Sequence, residues 1–327
     1  MTGLSDSFQR PIDYLRISVT DRCNLRCIYC MPEEGVDLFP RENMLSYEEI
    51  YRVAQAAAEL GISKLRLTGG EPLVRLGLSR LVAMVAKLDG ITDVALTTNG
   101  VLLARYAAEL KASGLRRVNV SLDSLQPDKF LRITRGQQLE QVLKGIKLAE
   151  DLGLNPVKIN MVVMRGINDD ELLDFARKSI YNGWNVRYIE LMPFGEQGLK
   201  DSKPVPISEI KQRLETLGPL EPSVSSAGAG PAKYFKYHGA KGTIGFISPI
   251  SEHFCINCNR LRLTADGRLH LCLLGEAAVD LRVPLRSNAS LEELKEILKK
   301  AVAAKPEKHC LSEGIGPWGE AMAHIGG

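Results

Sequence analysis

From residue 12 to about residue 217 the chain repeats one pattern, a short β-branched run followed by a longer amphipathic stretch, about every thirty residues. Strand-like runs fall at 15–19, 64–68, 93–97, 117–121, 157–163 and 185–191. Apolar residues at three- and four-residue spacing predict helices over 46–60, 78–88, 102–113, 139–152, 171–181 and 206–217. Ser46 with Glu49 three residues on reads as a capping box, and Gly61, Gly114 and Gly153 stand where a helix ends in a left-handed residue. Repeated βα units imply an α/β fold with a parallel sheet and helices outside it. Six units are too few for a closed eight-stranded barrel. The expected architecture is therefore a partial (βα)6 TIM-type barrel, with a gap through which a large substrate can enter.

The pattern changes after residue 217. Residues 218–231 are rich in Gly, Pro, Ser and Ala, and read as a linker between a barrel domain at 1–217 and a C-terminal region at 218–327. That region predicts a small α+β unit: strands at 234–237 and 243–247, a hairpin of 261–264 and 269–271 about Asp266-Gly267, and a helix over 291–304. It ends in a polar, Gly-rich tail, Gly326-Gly327.

Bulk properties exclude some functions. No run of about eighteen apolar residues crosses a membrane, and a net charge of +3 is too slight to suggest nucleic acid. The first residues lack the basic-then-apolar pattern of an export signal, so a reducing cytoplasmic location is expected.

In a parallel βα fold, chemistry collects at the C-terminal ends of the strands. After the first strand comes Cys23-x3-Cys27-x2-Cys30, with Tyr29 between the last two thiols. Three thiolates in one turn can hold three corners of a 4Fe-4S cluster, which normally takes four cysteines, and so leave one iron open to a ligand. Zinc also takes thiolates at this spacing, and the spacing alone does not choose between them. A disulfide framework fits poorly, because the seven cysteines are odd in number and no export signal precedes them. Thr68-Gly69-Gly70-Glu71-Pro72 follows the second strand. Its glycines would let a ligand approach the backbone closely, and Glu71 could accept hydrogen bonds from an ammonium group. Thr97-Thr98-Asn99-Gly100, Ser121-Leu122-Asp123 and Met192-Pro193 end later strands.

The cysteine triad, Tyr29 and the Gly-Gly-Glu segment, in this order, resemble the radical S-adenosylmethionine (SAM) superfamily. The resemblance implies that the open iron binds SAM and that reductive cleavage of the sulfonium starts radical chemistry. It also places Tyr29, Gly70, Ser121 and Met192 at SAM.

A second set, Cys255-x2-Cys258-x13-Cys272, lies in the C-terminal region. Zinc is a serious reading here too, with Cys310, His253 or His270 as a fourth ligand. Yet Asn259-Arg260-Leu261-Arg262 follows at once and sets two guanidiniums on one face of a short strand, which suits an anionic or hydrogen-bond-accepting substrate.

Nearly the whole chain then resembles the GTP 3′,8-cyclases of molybdenum cofactor biosynthesis. That resemblance rests on 15–21 before the first triad, 65–72, 97–100, Ser121-Leu122-Asp123, 255–262 and the terminal Gly-Gly. It implies two 4Fe-4S clusters, the second held by Cys255, Cys258 and Cys272 against the guanine ring. GTP contacts are implied at Arg16, Arg66, Thr97, Lys158, Arg260, Leu261 and Arg262, with Lys64 and Arg187 assisting. Arg16 and Arg66 lie inside otherwise apolar strand runs, an uncommon place for a solvated cation. No side chain is expected to act as acid or base. The Gly326-Gly327 tail is expected to thread toward the reacting atoms, where a frayed end is the ordinary fate of a terminus. A homodimer, a flavodoxin-type electron donor and transfer of product to cyclic pyranopterin monophosphate synthase are also implied. The alternatives are a radical SAM enzyme that modifies peptides and a non-catalytic zinc-binding scaffold. The 223–230 insert, Cys310 and the five histidines have no assigned role.

Overall fold

The computed structural model describes residues 3–192, 204–224, 230–252, 254–275, 277–309 and 322–326. Six strands carry the repeat: β1 (Tyr14–Ser18), β2 (Lys64–Thr68), β3 (Asp93–Thr98), β4 (Arg117–Ser121), β5 (Lys158–Val163) and β6 (Asn185–Glu190). Between and after them run α1 (Tyr47–Glu59), α2 (Leu78–Val85), α3 (Leu103–Ala112), α4 (Pro127–Thr134), α5 (Leu139–Asp151), α6 (Leu172–Asn182) and α7 (Ile207–Leu214). The Ser46 capping box is formed in both directions, with Ser46 Oγ accepting from Glu49 N and Glu49 accepting from Ser46 N. Helix α4 has no counterpart among the predicted elements. It is two turns long and starts on Pro127, too short to show helical periodicity.

Six further strands follow: β7 (Leu220–Ser223), β8 (Lys233–Tyr237), β9 (Thr243–Ile247), β10 (Arg260–Leu263), β11 (Arg268–His270) and β12 (Ala278–Asp280). Helices α8 (Arg282–Arg286), α9 (Leu291–Ala303) and α10 (Met322–Ile325) complete the described chain. The expected linker needs correction. Its first part is β7, paired antiparallel with β8 from Leu220↔Tyr237 to Ser223↔Tyr234. Pro222 reads as a breaker but is tolerated because β7 is an edge strand.

All strands join one sheet in the order β12-β11-β10-β1-β2-β3-β4-β5-β6-β9-β8-β7. β10 runs parallel to β1, and β9 runs parallel to β6. The C-terminal region therefore extends the six-strand row at both ends, giving eight parallel strands with antiparallel hairpin strands beyond them. Among the described residues no pairing joins β12 to β7, so the row stays open.

Alternation along the strands decides what this sheet encloses. Leu15, Ile17, Leu65, Leu67, Val94, Leu96, Val118 and Val120 are fully or almost fully buried in the main apolar core with the helices. The intervening residues Tyr14, Arg16, Arg66, Thr97, Ser121, Asn160 and Arg187 line a cavity on the other face. Parallel strands covered on both faces usually read as continuous apolar runs. Here the inner face is polar, and the barrel holds a site instead of a packed interior.

Candidate active site

The cavity's inner wall is a field of cations. Register sets Arg262, Arg16 and Arg66 side by side on β10, β1 and β2. One pair nearer the start of β1, Tyr14 lies between Arg260 and Lys64. Like charges opposite one another across a sheet are destabilising. Burial lowers the Arg16 guanidinium well below its ordinary range, and Arg262 and Arg66 add to this. Burial, with Arg260, brings Arg262 to about 10. Burial, with Arg66, brings Arg187 to about 10. Lys158 falls to about 8 through burial and the charge of Arg187, although its Nζ donates to Tyr234 Oη at 3.1 Å. Gly245 leaves room for Arg187, since a Cβ there would meet Arg187 Cγ at 2.9 Å. The Nε atoms of Arg66 and Arg187 and the Oδ1 of Asn160 are buried without a partner. Donors and acceptors left so invite a polar, anionic ligand.

The opposite end of the cavity is different. Cys23, Cys27 and Cys30 line it, with Tyr29, Gly70, Ser121, Asp123 and Met192. Tyr29 Oη donates to Asp123 Oδ2 at 2.9 Å, and Asp123 Oδ1 accepts from Val162 N at 2.8 Å. Burial pushes the Asp123 carboxyl up to about 6. It also pushes the Cys27 thiol well up, with Cys30 and Asp123 adding to the effect.

The Gly69-Gly70-Glu71 segment does something other than expected. A Cβ on Gly69 would meet Thr20 O at 2.4 Å, and one on Gly70 would meet Arg22 O at 2.5 Å. Gly70 N already donates to Thr20 O at 2.7 Å. These glycines let β2's exit pack on the backbone that leads into the cysteine loop. Glu71 is likewise committed: fully buried, it accepts from Leu73 N at 3.0 Å, Thr98 Oγ1 at 2.8 Å and Asn99 N at 2.6 Å. The carboxylate expected to meet an ammonium group is occupied by the protein's own donors.

Cys255, Cys258 and Cys272 do not line the cavity, but Phe254, Arg260 and Leu273, their neighbours in the chain, do. Burial pushes the Cys258 thiol up, while Arg260 and Lys305 outweigh it and bring the group down to about 7.

Three further expectations are refined by position. Leu261 points away from the cavity into the apolar core, on the face opposite Arg260 and Arg262. Lys64 pairs with Asp13, which also accepts from Asn259 Nδ2 at 2.6 Å. Gly326 lies inside the barrel: its carbonyl accepts from Arg262 Nη1 at 3.1 Å and Arg16 Nη2 at 3.3 Å. Its φ is +71°, and a Cβ would stand 3.0 Å from that of Ser18. Met322 and Ala323 of α10 also line the cavity. Gly327, Pro193, Cys310 and His253 lie outside the described residues.

Sequence reasoning missed Tyr14, Asn160, Tyr234 and Lys305 as members of this neighbourhood. Tyr14 and Asn160 could have been found from strand alternation, two residues from Arg16 and Lys158. Lys305 had no motif to mark it.

The profile of the Radical SAM superfamily matches residues 17–178, and that of Molybdenum Cofactor Synthesis C matches residues 184–311. The GTP 3′,8-cyclase of Pelotomaculum thermopropionicum is 50% identical over 328 residues, covering 99% of this chain and 100% of that protein. That of Heliobacterium modesticaldum is 51% identical over 325 residues, covering 98% and 99%. The chain belongs to the GTP 3′,8-cyclase family. Among solved structures, SuiB of Streptococcus suis bound to S-adenosylmethionine aligns with a TM-score of 0.61 at 14% identity, over 95% of this chain and 77% of that one. This likeness supports the fold alone. Membership of the family sets aside the peptide-modifying and zinc-scaffold alternatives.

The residues present fit the iron–sulfur clusters that the family implies. The six described cysteines form no disulfide. Cys23 Sγ receives Leu25 N at 3.4 Å and Asn99 Nδ2 at 3.8 Å, donors of the kind that surround ligating sulfurs. Among the described residues no group of three or more Cys, His, Asp or Glu side chains gathers as ligands of a single metal ion.

Proposed function

We propose that this chain converts GTP to 3′,8-cyclo-7,8-dihydroguanosine 5′-triphosphate, the first step of molybdenum cofactor biosynthesis, by radical SAM chemistry. The observation that carries the reading is the Arg262–Arg16–Arg66 row in the cavity that Cys23, Cys27 and Cys30 also line. When bound on Cys23, Cys27 and Cys30, the first cluster with SAM would supply abstraction of a hydrogen atom from ribose C3′, and C3′ would bond to guanine C8 with one electron from the reductant and one proton completing the dihydro product.

The chain's own side chains bind, orient and exclude water. Tyr29, Gly70, Ser121 and Met192 flank SAM, and Asp123 fixes the Tyr29 ring through its 2.9 Å hydrogen bond. Arg16, Arg66 and Arg262 take the triphosphate, since several guanidiniums are what so dense an anion requires. Thr97, Lys158, Arg187 and Arg260 orient the ribose and base, and Leu261 takes part through its main chain alone. Cys255, Cys258 and Cys272 hold the second cluster at the base. Gly326 holds the inner ends of Arg16 and Arg262 through its carbonyl.

The electron donor is proposed to be of flavodoxin type, the working state a homodimer in the cytoplasm, and the next enzyme cyclic pyranopterin monophosphate synthase. The resemblance to the family suggests them. Among the described residues no helix is long and apolar enough to cross a membrane.

Anaerobic incubation of the reconstituted chain with GTP, SAM and dithionite tests the reading. One 5′-deoxyadenosine is expected per cyclised nucleotide, an isomer of GTP that separates by chromatography. SAM cleavage without any new nucleotide would refute it.

A further inference from the structure

The second cysteine set has a neighbour that no motif marks. Lys305 follows the end of α9 and is only 3% exposed. Its ammonium donates to Arg260 O at 3.0 Å and to Leu271 O, the carbonyl just before Cys272. Cys258 is the strongest acidic influence on that ammonium. The charged groups that bear on it most are Cys258, Cys272 and Arg10, and among the described residues no ion pair joins it to a carboxylate. Arg10 is itself committed: it pairs with Asp6 at 2.6 Å and donates to Cys255 O at 2.8 Å, Glu307 O at 2.7 Å and Pro306 O at 2.6 Å. One cation thus ties Cys255 to the segment that carries Lys305. The other ties that segment to Arg260, two residues after Cys258, and to the chain before Cys272.

A buried ammonium is costly unless an anion faces it. The anion available here is the set of thiolates, which exists as such when a cluster is bound. Net charge and hydrogen bonds to sulfur set the potential of such a cluster.

We infer that Lys305 is a positioning residue for the second cluster, balancing its thiolate charge and raising its reduction potential. Lys305 does not line the cavity, so its action on the substrate is indirect. The inference rests on the reading that Cys255, Cys258 and Cys272 hold a cluster.

The test uses the full chain, anaerobically reconstituted, with iron analysis and a redox titration followed by electron paramagnetic resonance. Lys305→Gln keeps hydrogen-bond donors but removes the charge. It should leave the first cluster's signal intact and either shift the second cluster to lower potential or lose it. Lys305→Arg should restore the wild-type potential. A Lys305→Gln protein with both clusters loaded and the second potential unchanged overturns the inference. If Lys305→Gln does not fold, Lys305→Arg decides: a second cluster at lowered potential in that variant overturns it equally. Wild-type protein with only about four irons per chain would instead remove the underlying reading of the second cluster.

Discussion

The two cysteine triads offer the same three thiols in opposite electrostatic surroundings. Around Cys23, Cys27 and Cys30 the neighbouring ionisable groups are mainly acidic, and burial pushes the thiols upward with Glu71 or Asp123 adding to it. Around Cys258 the neighbours are Arg260 and Lys305, and the thiol comes down to about 7 against the effect of burial, whereas burial still raises Cys272 although Lys305 lowers it. One cavity is lined by the first triad and Asp123 and also by Arg16, Arg66, Arg187, Arg260 and Arg262. On the proposed function, a cationic sulfonium would sit by the first triad and a polyanionic nucleotide by the guanidiniums. Ligand identity alone does not distinguish the two sites; the charges packed around the ligands do.

Removing one ligand from each triad should break this comparison most sharply. Cys27→Ser is expected to abolish 5′-deoxyadenosine formation and lower iron from about eight to about four per chain. Cys258→Ser should lose a similar amount of iron yet still cleave SAM when GTP is absent, while forming no cyclised product. Equal behaviour of the two variants in the SAM cleavage assay would contradict the division of labour.

The cationic end gives the next largest effect. Arg262→Ala should weaken GTP binding roughly 10- to 100-fold, the equivalent of one charge-assisted hydrogen bond of about 1.5–3 kcal/mol. Calorimetric titration of cluster-loaded protein checks this, and GTP-independent SAM cleavage should stay at wild-type level. At the tail, Gly326→Val places a side chain 3.0 Å from Ser18 Cβ and 3.1 Å from Thr68 Cγ2 on a backbone at φ +71°. A misfit of about 1 kcal/mol or more should cut product several-fold, with both clusters retained. A fully active Gly326→Val protein would show that the seat of the tail is irrelevant to turnover.

The smallest effect is a pH dependence. Lys158 is brought to about 8 by burial and Arg187, so it is charged below that pH and loses its proton above it. GTP affinity should accordingly be flat near neutrality and fall as pH rises through about 8. Lys158→Arg, which stays charged, should flatten the profile. An unchanged slope in that variant would mean the lysine's charge does not reach the nucleotide.

Much of this was legible in the sequence because spacing carries it. The βα period set out β1 to β6 and the open barrel, and the first Cys motif marked one wall of the cavity. Strand alternation placed Arg260 and Arg262 on one face, and would have placed Tyr14 with Arg16 had it been applied there. Long-range pairing was not legible. That β10 lies parallel to β1, and so sets Arg262 beside Arg16, depends on residues about 250 apart in the chain. Glu71 shows the same limit. Its position after β2 reads as a ligand group, but only the fold reveals Thr98 and Asn99 already donating to it. Lys305 belongs to no motif, and only tertiary packing brings it to Cys258.

The central claim is that the adenosyl group and the ribose of GTP meet in one cation-lined cavity. GTP deuterated at C3′, given with SAM and reductant to the anaerobic, cluster-loaded chain, tests it directly. Deuterium should appear in the 5′-deoxyadenosine that accompanies the cyclised nucleotide. If 5′-deoxyadenosine forms without deuterium while GTP is recovered unchanged, the two molecules do not react there and the account is wrong.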